Sequence, residues 1–172
     1  MKIEYIHEPT DLQCGQAVLA MVLGIPVGQV SLELGNERET TLREMRSYFE
    51  AHGVKMTAGR SQAQGKEDLP SLALLSLETP RCWHWSLYAD GVFYDPEHGV
   101  LDDFPECNRK YFWELNYSII KRLQNGEKIL CPVCKKHYYD VDIDNREYSN
   151  YFHCEDPDCK GSVHVQKALN VE

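Results

Sequence analysis

The stretch that most restricts the fold is Trp83–Pro96, WHWSLYADGVFYDP. Asp90-Gly91 stands between two runs of aromatic and aliphatic residues, the signal for a two-residue hairpin turn. With those two residues as the loop, Ala89 pairs with Val92, Tyr88 with Phe93, Leu87 with Tyr94 and Ser86 with Asp95. Side chains alternate along a strand, so His84, Ser86 and Tyr88 share one face while Trp83, Trp85 and Leu87 share the other. Asp95 then lies opposite Ser86 and diagonal to His84 on the same face. The backbone separation is about 7 Å, which the two side chains close. The register alone predicts a His84–Asp95 hydrogen bond.

Helical patterns precede this hairpin. From Cys14 to Leu23 every residue except Gly15 and Gln16 is apolar, which predicts a helix buried on nearly all sides. GIPVGQVSLELG reads as a turn and a short second helix. In TTLREMRSYFEAHG, Thr41 and Glu44 form a capping box, Leu42, Met45 and Phe49 make the apolar stripe, and Gly53 supplies the stop. Leu72–Glu78, Trp83–Ala89 and Val92–Pro96 then follow with strand character. Helices first and an antiparallel sheet after them place the chain in the α+β class. Trp83 and Trp85 are expected to pack the first helix on the sheet, with Trp113, Tyr111 and Phe112 covering that core from a connecting segment.

The seven cysteines sort into two groups. Cys14, Cys82 and Cys107 are scattered, whereas Cys131, Cys134, Cys154 and Cys159 crowd the last quarter. This change in composition puts a boundary near Arg122–Lys128, giving a main domain over 1–122 and an appendage over 128–172. In the appendage, CPVC and CEDPDC are two cysteine knuckles with nineteen residues between Cys134 and Cys154, room for a β-hairpin. That is the layout of a zinc ribbon, in which two tight turns each present two thiolates to one Zn²⁺. His137, His153 and His164 are nearby substitutes, and a pair of disulfides is the rival reading. The apolar residues there, mainly Ile129, Val133, Tyr138, Tyr139, Tyr151 and Phe152, are too few to hold a fold without such a staple. Four protein thiolates leave no open coordination position, so the expected metal is structural. Asp140, Asp142, Asp144, Glu147, Glu155, Asp156 and Asp158 favour contact with protein over contact with DNA.

Composition narrows the function further. A chain of 172 residues that is 42% hydrophobic can bury one full core and carry a small appendage. A formal charge of −9 and a pI near 5.2 argue against phosphate neutralisation, so nucleic acid is not the expected partner. No apolar run approaches the roughly 20 residues that span a bilayer, and the start has no signal-peptide pattern. The expectation is a cytoplasmic protein without membrane contact, in which thiols stay free or hold metal.

Cys14 opens a buried helix, whose amino-terminal partial positive charge favours thiolate over thiol. A histidine oriented by a carboxylate, brought beside that sulfur, completes a nucleophile, a base and an orienting group for acyl transfer. The other candidates read more simply: Cys82 as a small buried filler, Cys107 as a surface thiol, His98 as a turn residue, and His7 as a possible border of the cleft.

DLQCGQAVLAMVLG, the Thr-started helix ending EAHGV, LPSLALLSL and HWSLYADGVFYDPEHGV together resemble the papain-like cysteine peptidases of the bacteriocin-processing family, from about Tyr5 to Asp103. The resemblance implies a papain-like fold with Cys14 as nucleophile, His84 as general base and acid, and Asp95 as the residue that orients His84. Members usually carry a glutamine six residues before the cysteine, whose amide helps form the oxyanion hole. Here that position is Glu8, an ionised carboxylate cannot donate, and Gln13 is the nearest amide. Family members that export bacteriocins are fused to a membrane transporter, so the double-glycine leader does not follow as substrate here. The expected function is hydrolysis of a peptide or isopeptide bond through a thioester, with a protein or peptide substrate that the ribbon helps to recognise. The alternative is a weakened papain-like domain that binds a protein or peptide through its old cleft.

Overall fold

The computed structural model describes residues 2–117, 122, 126–131, 134–140, 151–156, 158–159 and 163–164. The chain divides into two compact units, Met1–Asn116 and Tyr117–Glu172, a few residues before the expected boundary. Val133, Asp142, Asp144 and Glu147 lie outside the described residues, as do the side chains of Tyr139, Asp140, Tyr151, Phe152, His153 and His164.

In the first unit, α1 (Cys14–Leu23) is buried along all ten residues and ends at Gly24 in the left-handed conformation, where the Gly24 N–H donates to the Ala20 carbonyl. After it come α2 (Val27–Leu34) and α3 (Leu42–Ala51). The capping box of α3 is formed: the Thr41 hydroxyl accepts from the Glu44 N–H, and the Glu44 carboxylate accepts from the Thr41 N–H. No single helix among the described residues is long and apolar enough to cross a membrane, and the α1–α2 pair is bent by 115°.

Seven strands form one sheet: β1 (Val54–Met56), β2 (Ser61–Gln62), β3 (Leu72–Glu78), β4 (Trp83–Ala89), β5 (Val92–Asp95), β6 (Gly99–Leu101) and β7 (Lys110–Tyr117). The order is β1-β7-β3-β4-β5-β6, with β2 paired to β7. Helices packed on this antiparallel sheet give the α+β architecture expected. The hairpin has the expected register, Leu87 with Tyr94, Tyr88 with Phe93 and Ala89 with Val92. Its turn residues Asp90 and Gly91 both have positive φ, 47° and 93°, as a twisted two-residue turn requires.

Two expectations about aromatic residues are corrected. Trp113, Tyr111 and Phe112 do not sit in a connecting segment; they belong to β7, which pairs with β3 inside the sheet. Alternation splits them, so that buried Trp113 lies beside Trp85 while Phe112 packs against the cluster of Ala73, Leu75, Leu77, Tyr88 and Phe93 on the opposite face. Trp83 is 47% exposed, stacked on Tyr111 with the Arg109 guanidinium over its ring, whereas Trp85 lies against Gly15 of α1. Cys82 is exposed rather than buried, and Cys107 is half-buried against the Phe93 cluster rather than free on the surface.

In the second unit, β8 (Tyr139–Asp140), β9 (Tyr151–Cys154) and β10 (Val163–His164) form a small antiparallel sheet in the order β10-β9-β8. The β8–β9 pair is the hairpin expected between the cysteine knuckles.

Candidate active site and cysteine centre

The sulfur of Cys14 is placed by the first turn of α1, where the helix leaves its leading N–H groups without intrahelical acceptors. Gly15 has a local steric reason. A Cβ there would overlap the Thr40 side chain and touch Trp85, whose indole N–H donates to the Thr40 carbonyl at 2.9 Å. The Cys-Gly pair thus lets the Thr40 loop and Trp85 close against the helix tip, leaving Cys14 only 7% exposed.

His84 arrives from β4 and Asp95 from the end of β5. His84 Nε2 donates to Asp95 Oδ1 at 2.9 Å, and both side chains are buried. The same oxygen accepts from His98 Nδ1 at 2.8 Å and from the backbone N–H groups of Glu97 and His98 at 3.1 and 3.0 Å. His98 therefore shapes the turn, as expected, and also anchors the carboxylate. That second role was not legible in the sequence beyond its spacing of three residues from Asp95. Burial would raise the Asp95 carboxyl, but the hydrogen bond and charge of His84, helped by His98, hold it well below the usual carboxylate range. Burial would likewise lower His84, but its bond to Asp95 and the neighbouring Cys14 push it up to about 10. With Nε2 committed to Asp95, the other ring nitrogen is the one available to Cys14.

Glu8 reaches the same place from the amino-terminal segment. The Glu8 N–H donates to the Pro96 carbonyl at 2.9 Å and the Tyr5 hydroxyl to the Asp95 carbonyl at 2.8 Å, so this segment is tied to the end of β5. One donor atom each from Glu8, Cys14 and His84 lie within 4.8 Å of one another. Glu8 is 8% exposed, and its Oε2 has no hydrogen-bond partner among the described residues. Burial raises its carboxyl, the charges of Glu97 and Asp95 add to this, and His84 and His7 oppose it. Gln13 does not turn inward as the alternative amide: its Nε2 donates to Ser31 Oγ at 3.1 Å, and its Oε1 accepts from Thr10 Oγ1 at 3.0 Å.

A cavity of about 150 Å³ opens on this site, lined by Cys14, His84, Trp83, Trp85, Cys82 and Thr40 among others. Exposed Cys82 and Trp83 are cleft-wall residues, a role their sequence neighbourhood did not separate from packing.

In the second unit, one sulfur each from Cys131, Cys134, Cys154 and Cys159 lie within 4.8 Å of one another. The Cys131–Cys159 and Cys134–Cys154 sulfur pairs are 3.9 and 3.7 Å apart, and none of the four cysteines is in a disulfide. Four sulfurs bound tetrahedrally to Zn²⁺ at about 2.3 Å would be about 3.8 Å apart, so the donor set fits that ion. The first knuckle is closed by the Lys135 N–H donating to the Cys131 carbonyl at 2.8 Å, with Lys135 at positive φ. His137 Nδ1 is 3.7 Å from the Cys134 sulfur, outside the four-sulfur set.

No protein-family model matches the chain, and no curated protein is similar to it at the sequence level. Four chains of solved structures are similar to it. One is the crystal structure of a double-glycine motif protease from an AMS/PCAT transporter in complex with the leader peptide. That structure is 19% identical over 64% of this chain and 89% of its own, with a TM-score of 0.48.

Proposed function

We propose that the first unit is a cysteine-nucleophile hydrolase of papain-like type that cleaves a peptide or isopeptide bond. The observation that carries this reading is the buried His84–Asp95 pair at 2.9 Å with the Cys14 sulfur beside it and a cleft in front. Cys14 Sγ attacks the carbonyl carbon of the scissile amide. His84 holds the proton that the thiol gives up and passes it to the leaving nitrogen, so the amine departs and a thioester remains on Cys14. Water, deprotonated by His84, then attacks the thioester, releasing the acid and restoring the thiol. Asp95 keeps the imidazole in one orientation and stabilises its charged form.

The developing oxyanion is met by the Cys14 backbone N–H at the helix tip and by the Glu8 carboxyl. In its protonated form that carboxyl donates an O–H, whereas the ionised form repels negative charge. The exposed face of Trp83 beside the cleft suits an extended peptide or protein chain, which is the proposed substrate class. In the second unit, Cys131, Cys134, Cys154 and Cys159 would hold a zinc ion. With all four positions taken by thiolates, such an ion would supply folding energy to a recognition module rather than chemistry at the cleft.

The test is the rate of Cys14 alkylation against pH, with mass trapping by electrophilic peptide and ubiquitin-like probes on the same protein. Fast alkylation near neutral pH that His84→Ala slows supports the reading. An ordinary thiol titration, unchanged by His84→Ala, sinks it.

A further inference from the structure

We propose that Glu8, Cys14 and His84 form a second metal site, in which a divalent transition metal of the Zn²⁺ type binds reversibly and blocks the thiol. Three observations point there. The three donor atoms lie within 4.8 Å of one another and come from buried residues. Tetrahedral ligation with bonds of about 2.0–2.3 Å needs donor separations of about 3.5 Å, so side-chain rotation of an ångström or so completes the geometry. Second, Glu8 Oε2 is buried without a partner among the described residues, which leaves a carboxylate oxygen to be satisfied by a ligand. Third, the support for such a site is already built. His84 Nε2 donates to Asp95 Oδ1, the carboxylate–histidine arrangement that fixes the ring and raises the basicity of the ligating nitrogen.

The donor chemistry selects the ion. A thiolate, an imidazole and a carboxylate on three protein residues match borderline ions such as Zn²⁺ or Co²⁺ and leave a fourth position for water, whereas Mg²⁺ and Ca²⁺ prefer oxygen ligands. The neighbouring set of His84, Glu97 and His98 is the weaker choice, because His98 is exposed and its Nδ1 is committed to Asp95. Binding forms one metal–sulfur, one metal–nitrogen and one metal–oxygen bond. The protons of the thiol and imidazolium go to bulk water, and nothing is oxidised or reduced.

Metal binding does not depend on the hydrolase reading, but its regulatory meaning does. With the metal seated, the nucleophile and the base are both ligands, and hydrolysis stops. A carboxylate at position 8, where a carboxamide would serve an oxyanion better, gains a physical reason.

The experiment is Zn²⁺ and Co²⁺ titration of the full chain, reading metal equivalents per chain together with Cys14 alkylation. Wild type is expected to bind one tight equivalent at the four-cysteine centre and a second, weaker one that protects Cys14 from iodoacetamide. In Glu8→Gln the protecting metal concentration should rise at least about tenfold. Cys14→Ser should lose the thiolate-to-cobalt absorption of the second equivalent. Retained amide-exchange protection along Cys14–Leu23 and Leu72–Glu78 shows that the first unit of each variant is folded. Equal zinc protection in wild type and Glu8→Gln overturns the proposal, as does a second equivalent that disappears in Cys82→Ala instead, or hydrolysis that needs the metal. Zinc protection without any hydrolysis removes the hydrolase reading and leaves the metal site; zinc-insensitive hydrolysis does the reverse.

Discussion

At the scale of single residues, the position of the His84 ring depends on how one carboxylate oxygen is shared. Asp95 Oδ1 serves both His84 and His98, so the histidine beside Cys14 is held in one position by a group that is itself pinned from the other side. The pH dependence follows from the His84 shift. Its folded pKa, about 10, lies above the value of about 6.5 for an unfolded chain. The imidazolium therefore stabilises the fold in full below about pH 6.5, and that contribution fades as pH rises through about 10. Urea midpoints measured from pH 6 to 10 should fall more steeply in wild type than in Asp95→Asn; parallel profiles would show that the pair adds no stability. Glu8 is the second determinant. In the proposed hydrolysis, with metal chelated, Glu8→Gln would place a permanent donor at the oxyanion and should raise kcat by about tenfold or more, toward the 10²–10³ that one such donor is worth. A drop in kcat would mean that the carboxyl has a positive role that the amide cannot copy.

At the scale of elements, local rules were the most legible. Asp90-Gly91 specified the hairpin register because only residues that tolerate positive φ close a two-residue turn with the right twist. Thr41 and Glu44 specified the start of α3 because each satisfies an N–H that the helix leaves unpaired. The strand β7 was not legible. Its partner β3 lies more than thirty residues upstream, and no turn between them announces the pairing. Its run of Tyr111, Phe112 and Trp113 reads as a cluster until the sheet assigns alternate residues to opposite faces. Gly15 belongs to the same category. Its need for a missing side chain comes from Thr40 and Trp85, which contact it only in the fold. Gly15→Ala should cost about 1–3 kcal/mol as an overpacked site. Because the displaced groups abut Cys14, it should also slow Cys14 alkylation. A variant with unchanged Tm and unchanged alkylation would remove the steric role given to Gly15.

At the scale of the whole molecule, the two units have separate grounds for stability. The first buries α1 and the centre of its sheet, whereas among the described residues of the second the buried side chains are Cys131 and Cys154 of the four-sulfur centre. Removing metal with a strong chelator should abolish amide-exchange protection along Tyr151–Cys154 while leaving that of Cys14–Leu23 and Leu72–Glu78 intact. Loss of protection in both units would show that the first unit needs the second, and retention in both would show that the cysteine centre is not what folds the tail.

The sequence by itself determined the α+β class, the hairpin that pairs His84 with Asp95, the helix that Cys14 opens, and the cysteine spacing that suits a metal. Each of these rests on periodicity, turn chemistry or short-range spacing, all properties of neighbouring residues. Only the tertiary structure decided that Glu8, tied to the end of β5, stands with Cys14 and His84, that Gln13 turns to Ser31, that Trp83 stays exposed at the cleft, and that His98 shares Asp95. Those are meetings of side chains from distant segments or choices among rotamers, and they are settled by packing and by the need of buried polar groups for partners.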